Sequence, residues 1–360
     1  MTFGLWPTRS SKRRKNWARD MTSSNQKSRI GVIGCGRISQ AHVDALLACE
    51  DAVIAGVLDS REDAANALAE VAGCRGYTDL QTFLDESALD GVIICTPPAF
   101  HREIAIEMLK SGVHVLCEKP LATRPVDALA MVAMAEETGR TLMMASKFRY
   151  VPDVARAKSL IASGQLGTIE YYENCFCARV NMQDRWNIDP AIAGGGVVID
   201  NGTHSVDIAR YLLGNIDRVH VSGSATESPV EDDAAIQFSS EHASLGTIHL
   251  SWNVNLDRST YVEIHGTDGA LRLGWQGSHH RRNGHGEWEP FGSGYDKNEA
   301  FLRQTENFLQ VMKGDGLSLI THEEMLASVR VIECAYRSLS SGSWESVEDV
   351  SWKDNAQQLT

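Results

Sequence analysis

From Ser28 onward the chain alternates short apolar runs with amphipathic segments of helical length. Ile30 to Gly34, Val53 to Asp59, Val92 to Cys95, Val113 to Cys117 and Thr141 to Ala145 are apolar or β-branched almost throughout, the pattern of strands buried on both faces. Between them, Gln40 to Cys49, Arg61 to Val71, Arg102 to Ser111 and Arg124 to Thr138 space apolar residues as helices do, and Gly73, Gly112 and Gly139 stand where such helices end. This alternation predicts an α/β unit over 28–147, a doubly wound parallel sheet that opens with its first strand.

After Tyr150 the pattern changes. A helix from Asp153 to Ser163, ending at Gly164, precedes longer runs of period two: Thr168 to Cys177, Arg218 to Ser224, Asp233 to Phe238 and Leu245 to Val254. In the last run Ile248, Leu250, Trp252 and Val254 share one face, and His249, Ser251 and Asn253 the other. Gly266-Thr267-Asp268-Gly269 predicts a hairpin turn between Tyr261 to His265 and Ala270 to Leu273. Helices from about Lys297 to Lys313 and His322 to Leu339 close this half. The expectation is an α+β domain over 148–347 with a large, mostly antiparallel open sheet, one face on helices and the other free for solvent or a second subunit. A polar tail follows over 348–360.

Composition changes the picture mainly at the ends. The 360 residues, 43% hydrophobic and 22% charged, suit two packed domains and exclude disorder or coiled coil as descriptions of the whole. The net charge of -13 is uneven, because residues 1–27 hold seven Lys or Arg against Asp20 alone, which leaves -19 for the rest. A body so acidic repels phosphate backbones, so nucleic acid is not expected as a partner. The basic segment lacks the apolar content to fold and reads as a disordered arm, or as residues ahead of a true start at Met21. Arg13-Arg14 is not followed by the apolar run an export signal needs, and no stretch approaches the roughly 18 apolar residues of a membrane span. Eight cysteines without a CxxC pair fit a reducing cytoplasm. Cys175 and Cys177 face one side of a strand but lack further ligands nearby, so no metal is expected.

Gly34-Cys35-Gly36-Arg37-Ile38-Ser39 follows the first strand and opens a helix, the context that gives a G-x-G-x-x-G pattern weight. Glycines at 34 and 36 permit the tight turn and let a pyrophosphate reach the N–H groups at the helix start; Ser39 replaces the third glycine. Asp59, ending the second strand, suits the ribose hydroxyls of an adenosine and favours NAD over NADP, while Arg61 offers a partner to a 2′-phosphate. Asp59 equally suits capping the helix that follows. Thr96-Pro97-Pro98 and Glu118-Lys119-Pro120 fall at the carboxyl edge of the sheet, where such folds hold ligands, and a lysine there can donate to a substrate oxygen. In Gly194 to Asp207, a helix begun near Asn201 puts Asp200, His204 and Asp207 on one face behind three glycines that give a flexible approach to a ligand. A secondary alcohol that loses hydride must also lose its hydroxyl proton, and a histidine titrating near neutrality can take it. The competing reading is a packed histidine behind a capping aspartate. Arg185-Trp186-Asn187 reads as a strand-loop contact or a substrate contact, and His279, His280 and His285 as exposed loop residues.

The Gly34 loop, Asp59, Thr96-Pro97-Pro98 with His101, Glu118-Lys119-Pro120 and the Gly194 to Asp207 segment together resemble, in order and spacing, the Gfo/Idh/MocA oxidoreductases, over about Arg29 to Val347. The resemblance implies a Rossmann domain that binds a nicotinamide dinucleotide, and Asp59 makes NAD the expected form over NADP. It further implies hydride transfer between nicotinamide and a secondary hydroxyl of a cyclic polyol, sugar or sugar derivative, by a homodimer or homotetramer built on the open sheet face. It also implies a catalytic group of Lys119, Asp200 and His204, a cis bond before Pro120, and a cleft lined by Lys147 to Tyr150, with Lys147 where asparagine is common. With the residue-level reading, cofactor contacts fall to Gly34, Gly36, Arg37, Ile38, Asp59, Arg61, Thr96, Pro97, Pro98, His101, Glu118 and Lys119. Substrate contacts fall to Lys119, Arg149, Tyr150, Asn187, Asn201 and His204. The same resemblance admits two other activities, glycoside hydrolysis with bound NAD used catalytically, and NAD sensing without turnover. The complete Lys119, Asp200 and His204 set argues against the sensor.

Overall fold

In the computed structural model, which describes residues 27–226, 228–282 and 286–347, the alternation resolves into two sheets. The basic arm up to residue 26, the polar tail and His285 lie outside the described residues. The first half runs β1 (Ser28–Ile33), α1 (Ser39–Ala48), β2 (Ala52–Leu58), α2 (Glu62–Ala72), β3 (Gly76–Tyr77), α3 (Leu80–Ser87), β4 (Gly91–Ile94), α4 (His101–Lys110), β5 (His114–Cys117), α5 (Pro125–Thr138) and β6 (Leu142–Met144). Its six strands are all parallel, in the order β3-β2-β1-β4-β5-β6. The order reverses between β1 and β4, and that reversal opens a crevice at the carboxyl edge. Val92, Ile93 and Ile94 of β4 are fully buried, each contributing about 1.5–3 kcal/mol. β3 and α3 were not legible as elements: β3 is two residues long, and α3 buries little beyond Phe83.

The second half comprises α6 (Pro152–Ala162), β7 (Ile169–Cys177), α7 (Pro190–Ala193), α8 (Val197–Leu213), β8 (Ile216–Ser224), β9 (Asp233–Ser240), β10 (Ala243–Ser251), β11 (Thr260–Gly266), β12 (Gly269–Gly274), β13 (Ser278–Arg282), β14 (Glu289–Gly292), α9 (Lys297–Lys313), α10 (His322–Ser341) and β15 (Glu345–Ser346). The nine strands lie in the order β14-β13-β12-β11-β7-β10-β9-β8-β15, antiparallel at every junction but β7 with β10. Tyr172, Phe238, Ile248, Leu250 and Ile264 share a core with Val206, Ile208 and Ala209 of α8. Because β10 stops at Ser251, Val254 leaves the face expected for it and is exposed. Ser251, expected on the open face, is buried, its Oγ accepting the N–H groups of Asn253 and Val254 at 2.9 and 3.0 Å. His279 and His280 belong to β13, paired on both sides, so the exposed-loop reading of this pair is corrected.

The last two helices reach back across the molecule. Phe308 and Leu309 of α9 complete a core with Val43 and Leu46 of α1, and Met325, Leu326 and Val329 of α10 pack with α5 and β4 on the other face of the first sheet. This packing sets the carboxyl edge of the first sheet against the start of α8.

Candidate active site

β1 is followed by Gly34 at φ 92°, where a Cβ would lie 2.7 Å from the Cys95 backbone, and a Cβ on Gly36 would meet nothing within 4 Å. The N–H groups of Gly36, Arg37 and Ile38 make no hydrogen bond within the described residues. Three donors therefore remain at the positive end of the α1 dipole, beside an open approach, which fits the pyrophosphate of a dinucleotide. Ser39 fills the third small position, its Oγ donating to the Gly36 carbonyl. Asp59 accepts the Cys35 N–H at 2.8 Å and the Arg61 N–H at 2.9 Å, with the Arg61 Nε 3.5 Å away. It thus braces the glycine loop and starts the turn into α2.

The two loops after β4 and β5 are tied together by His101. This residue is fully buried, with its ring nitrogens 2.8 Å from the Thr96 carbonyl and 2.9 Å from the Pro120 carbonyl, so it shapes the crevice without opening onto it. Burial lowers its pKa. Thr96 and Pro97 are half-buried beside it, and Pro98 starts a short 3-10 turn. Glu118 is also buried, 2.8 Å from His42 Nε2, and accepts the N–H of Lys119 at 3.0 Å. Burial alone would raise its pKa, but the His42 hydrogen bond and the charges of His42, Lys119 and Lys147 outweigh it and hold the carboxyl below its ordinary value. An ionised Glu118 therefore fixes the backbone that carries Lys119, and the Lys119–Pro120 peptide is cis.

Lys119 reaches across to α8, donating to Asp200 Oδ1 at 2.6 Å and to the Asp200 carbonyl at 3.0 Å. An ammonium has three N–H bonds, so one is left over. α8 begins at Val197, four residues before the position read from the sequence, because Glu231 caps it from outside by accepting the N–H groups of Gly196 and Val198 at 2.9 and 3.1 Å. The glycines ahead of it serve packing, which corrects the flexible-approach reading: a Cβ on Gly195 would sit 1.9 Å from the Tyr336 hydroxyl, and one on Gly196 1.9 Å from the Glu231 carbonyl. The earlier start still leaves Asp200 and His204 one turn apart on one face.

Two expected substrate contacts are spent elsewhere. Arg149 is 1% exposed; its guanidinium bonds Asp207 at 2.8 to 3.1 Å, Glu324 at 2.7 Å and the Leu319 carbonyl at 2.9 Å. Tyr150 is buried and donates to Asn307 at 2.9 Å. Both are corrected to internal braces, and Asp207 turns to Arg149. Asn187 lies in a short 3-10 turn and is absent from the wall of the cavity described next.

Lys119, Asn201 and His204 do meet, lining one cavity of about 280 Å³ with Lys147, Phe148 and Trp275. His204 is half-buried, its ring edge-on to Phe148 with centroids 5.3 Å apart. Burial first, then the ammonium groups of Lys119 and Lys147, push its pKa well below the ordinary value, so the imidazole is neutral near pH 7 and can accept a proton. Sequence reasoning missed Cys175, Cys177, Arg258 and Trp275 on the same wall. The alternation of β7 signals that the two thiols share a side, but only the strand order brings Arg258 and Trp275 to them.

Known proteins resemble this chain over both of its halves. Residues 28–146 match the NAD-binding Rossmann fold of the Gfo/Idh/MocA oxidoreductase family, and residues 154–272 match its C-terminal domain. A D-apiose dehydrogenase of Paraburkholderia graminis is 30% identical over 264 residues, 70% of this chain and 69% of that protein. D-xylose 1-dehydrogenase (NADP(+)) 2 of Haloferax volcanii is 27% identical over 328 residues, 87% of this chain and 98% of that one. In fold, a solved levoglucosan dehydrogenase in complex with NADH superposes with a TM-score of 0.83 at 22% identity, covering 90% of this chain and all of that one. No described helix is long and apolar enough to cross a membrane. The chain belongs to the Gfo/Idh/MocA family of NAD-binding oxidoreductases, and is a dehydrogenase acting on CH–OH groups.

Proposed function

We propose that the protein oxidises a secondary hydroxyl of a cyclic polyol, sugar or sugar derivative with NAD, at the cavity between the carboxyl edge of the first sheet and α8. The carrying observation is the meeting of Lys119 and His204, from different halves of the chain, on the wall of one cavity. The donors of Gly36, Arg37 and Ile38 suit the pyrophosphate, and the Asp59 carboxylate disfavours a 2′-phosphate by like charge. Bound NAD supplies the hydride acceptor. Lys119, with two N–H bonds taken by Asp200, directs its third to the substrate oxygen and stabilises the negative charge that builds there. Neutral His204 takes the hydroxyl proton as the carbonyl forms. Asp200 is a positioning residue, acting through Lys119.

The test is a panel of inositols, aldoses and alditols, followed by the appearance of reduced nicotinamide. With a panel substrate in hand, His204→Ala is expected to lower kcat by roughly 10²- to 10⁴-fold while NADH still binds. Retention of turnover in that variant refutes the assignment.

A further inference from the structure

The cavity has a charge balance that a neutral polyol does not answer. Three of its wall residues, Lys119, Lys147 and Arg258, are cationic, and none is Asp or Glu. Two of the three are matched from behind, Lys119 by Asp200 at 2.6 Å and Arg258 by Glu173 at 2.9 Å. Lys147 has no such contact: among the described residues no carboxylate stands at ion-pair distance from it, and Glu118 and Asp200 attract it only from farther off. Its ammonium lies instead 5.3, 5.7 and 5.6 Å from the ring centres of Phe148, Tyr295 and Phe301. Aromatic faces offset only part of the cost of withdrawing an ammonium from water. A cation kept in such a place with no carboxylate in direct contact is stabilised further when a ligand brings negative charge to it. Lys147 precedes Phe148, the residue against which His204 packs, so that charge would be held within the same cavity as the reacting carbon.

The site also limits which anion fits. A phosphate carries nearly two charges and is usually met by several N–H donors or a guanidinium fork. Here one ammonium without a carboxylate in contact faces a cavity of about 280 Å³, which shares Arg258 and Thr260 with a neighbouring pocket of about 660 Å³. A single such charge matches a carboxylate better than a phosphate.

We propose that the substrate is a sugar acid, whose carboxylate pairs with Lys147 while its reacting hydroxyl lies between Lys119 and His204. This rests on the dehydrogenase reading above and narrows it. The reaction is unchanged: the carbinol C–H bond breaks with its electron pair leaving as hydride to NAD, the O–H proton passes to His204, and the carbonyl double bond forms.

The test pairs each acid with its neutral parent, glucuronate with glucose and gluconate with sorbitol, and adds glucose 6-phosphate, for the wild type, Lys147→Met and Lys147→Arg. The wild type is expected to favour an acid over its parent at least tenfold in kcat/KM. Lys147→Met is expected to abolish that preference through KM, and Lys147→Arg to restore most of it. Equal kcat/KM for acid and parent in the wild type overturns the proposal, as does preference for the phosphate. An equal loss on acid and parent in Lys147→Met also overturns it, because it places Lys147 at the reacting oxygen. A binding measurement separates this proposal from the dehydrogenase reading. Glucuronate or gluconate titrated calorimetrically into the NADH complex is expected to bind the wild type and to bind Lys147→Met at least tenfold more weakly, even if no compound of the panel is oxidised. Thermal melting of each variant confirms that it is folded.

Discussion

Asp200→Asn tests the link between the two halves of the site. The substitution keeps the side-chain shape and an acceptor oxygen but removes the charge 2.6 Å from the Lys119 ammonium. At an effective dielectric of about 20, two unit charges at that distance attract by about 6 kcal/mol. Lys119 and Asp200 are 15% and 24% exposed, so water screens part of this, and the bond from Lys119 to the Asp200 carbonyl at 3.0 Å survives. A net loss of about 2 to 3 kcal/mol remains, well above the median for surface pairs and below a sealed pair. If Lys119 must be held for its third N–H to meet the substrate oxygen, that loss appears in the transition state as a fall of roughly 30- to 160-fold in kcat/KM. The assay is steady-state kinetics on the best panel substrate for the wild type, Asp200→Asn, Lys119→Met and the double variant. Since Asp200 acts through Lys119, the double variant is expected to be no slower than Lys119→Met alone. Additive losses, or an Asp200→Asn enzyme within threefold of the wild type across its pH profile, refute the positioning role.

Three further outcomes follow from the same geometry. Arg149→Met strands the 3%-exposed Asp207 without its partner, so it is expected to cost about 3–5 kcal/mol in urea unfolding; a loss below 1 kcal/mol accompanied by a raised KM restores the substrate-contact reading. His204 is held below its ordinary value by burial and by the Lys119 and Lys147 charges, so its proton-accepting form is complete above pH 6.5 and is lost only as pH falls through the lowered value. The acid limb of kcat is expected below 6.5, and Lys147→Met, by removing one of the two cations, is expected to move it upward; a wild-type limb at or above 6.5 contradicts the assignment. In the Cys175–Cys177 pair one thiol is held below its ordinary value, chiefly by the hydrogen bond from the other, against the opposing effect of burial, while burial raises Cys35 to about 12 and Cys95 and Cys117 well above the usual value. Iodoacetamide at neutral pH is therefore expected to label the Cys175–Cys177 pair first and to inactivate the enzyme by filling the cavity that both thiols line; peptide mapping that finds a cysteine outside this pair labelled first sinks this.

What the sequence made legible divides along lines of range. Local patterns carried five of the six strands of the first sheet, the ends of α2 and α5 at Gly73 and Gly139, and α9 to the residue, because each depends on contacts a few positions apart. The Lys119–Asp200 pair spans 81 positions yet was accessible, because each member sits in a motif whose place in the fold is fixed by a strand end or a helix start. Arg149 had no such anchor. Its partners lie 58 and 175 positions away on α8 and α10, and nothing near Arg149 distinguishes a buried brace from a ligand contact in a cleft. The early start of α8 was hidden for the same reason, since its cap is a glutamate more than thirty positions later in the chain, and the glycines that look like freedom are the spaces Tyr336 and Glu231 require. Lys147 shows the reverse case. Its departure from the common asparagine was visible in the sequence, but its meaning depends on an absence, the missing counter-ion, and an absence becomes readable only when the carboxylates of the described structure have been assigned to other cations. Asp200 and Glu173 are so assigned, and Glu118 is occupied by His42 and the Lys119 backbone. With those contacts made, no carboxylate is left in direct contact with Lys147 inside the cavity, and that is the ground on which the sugar-acid proposal stands.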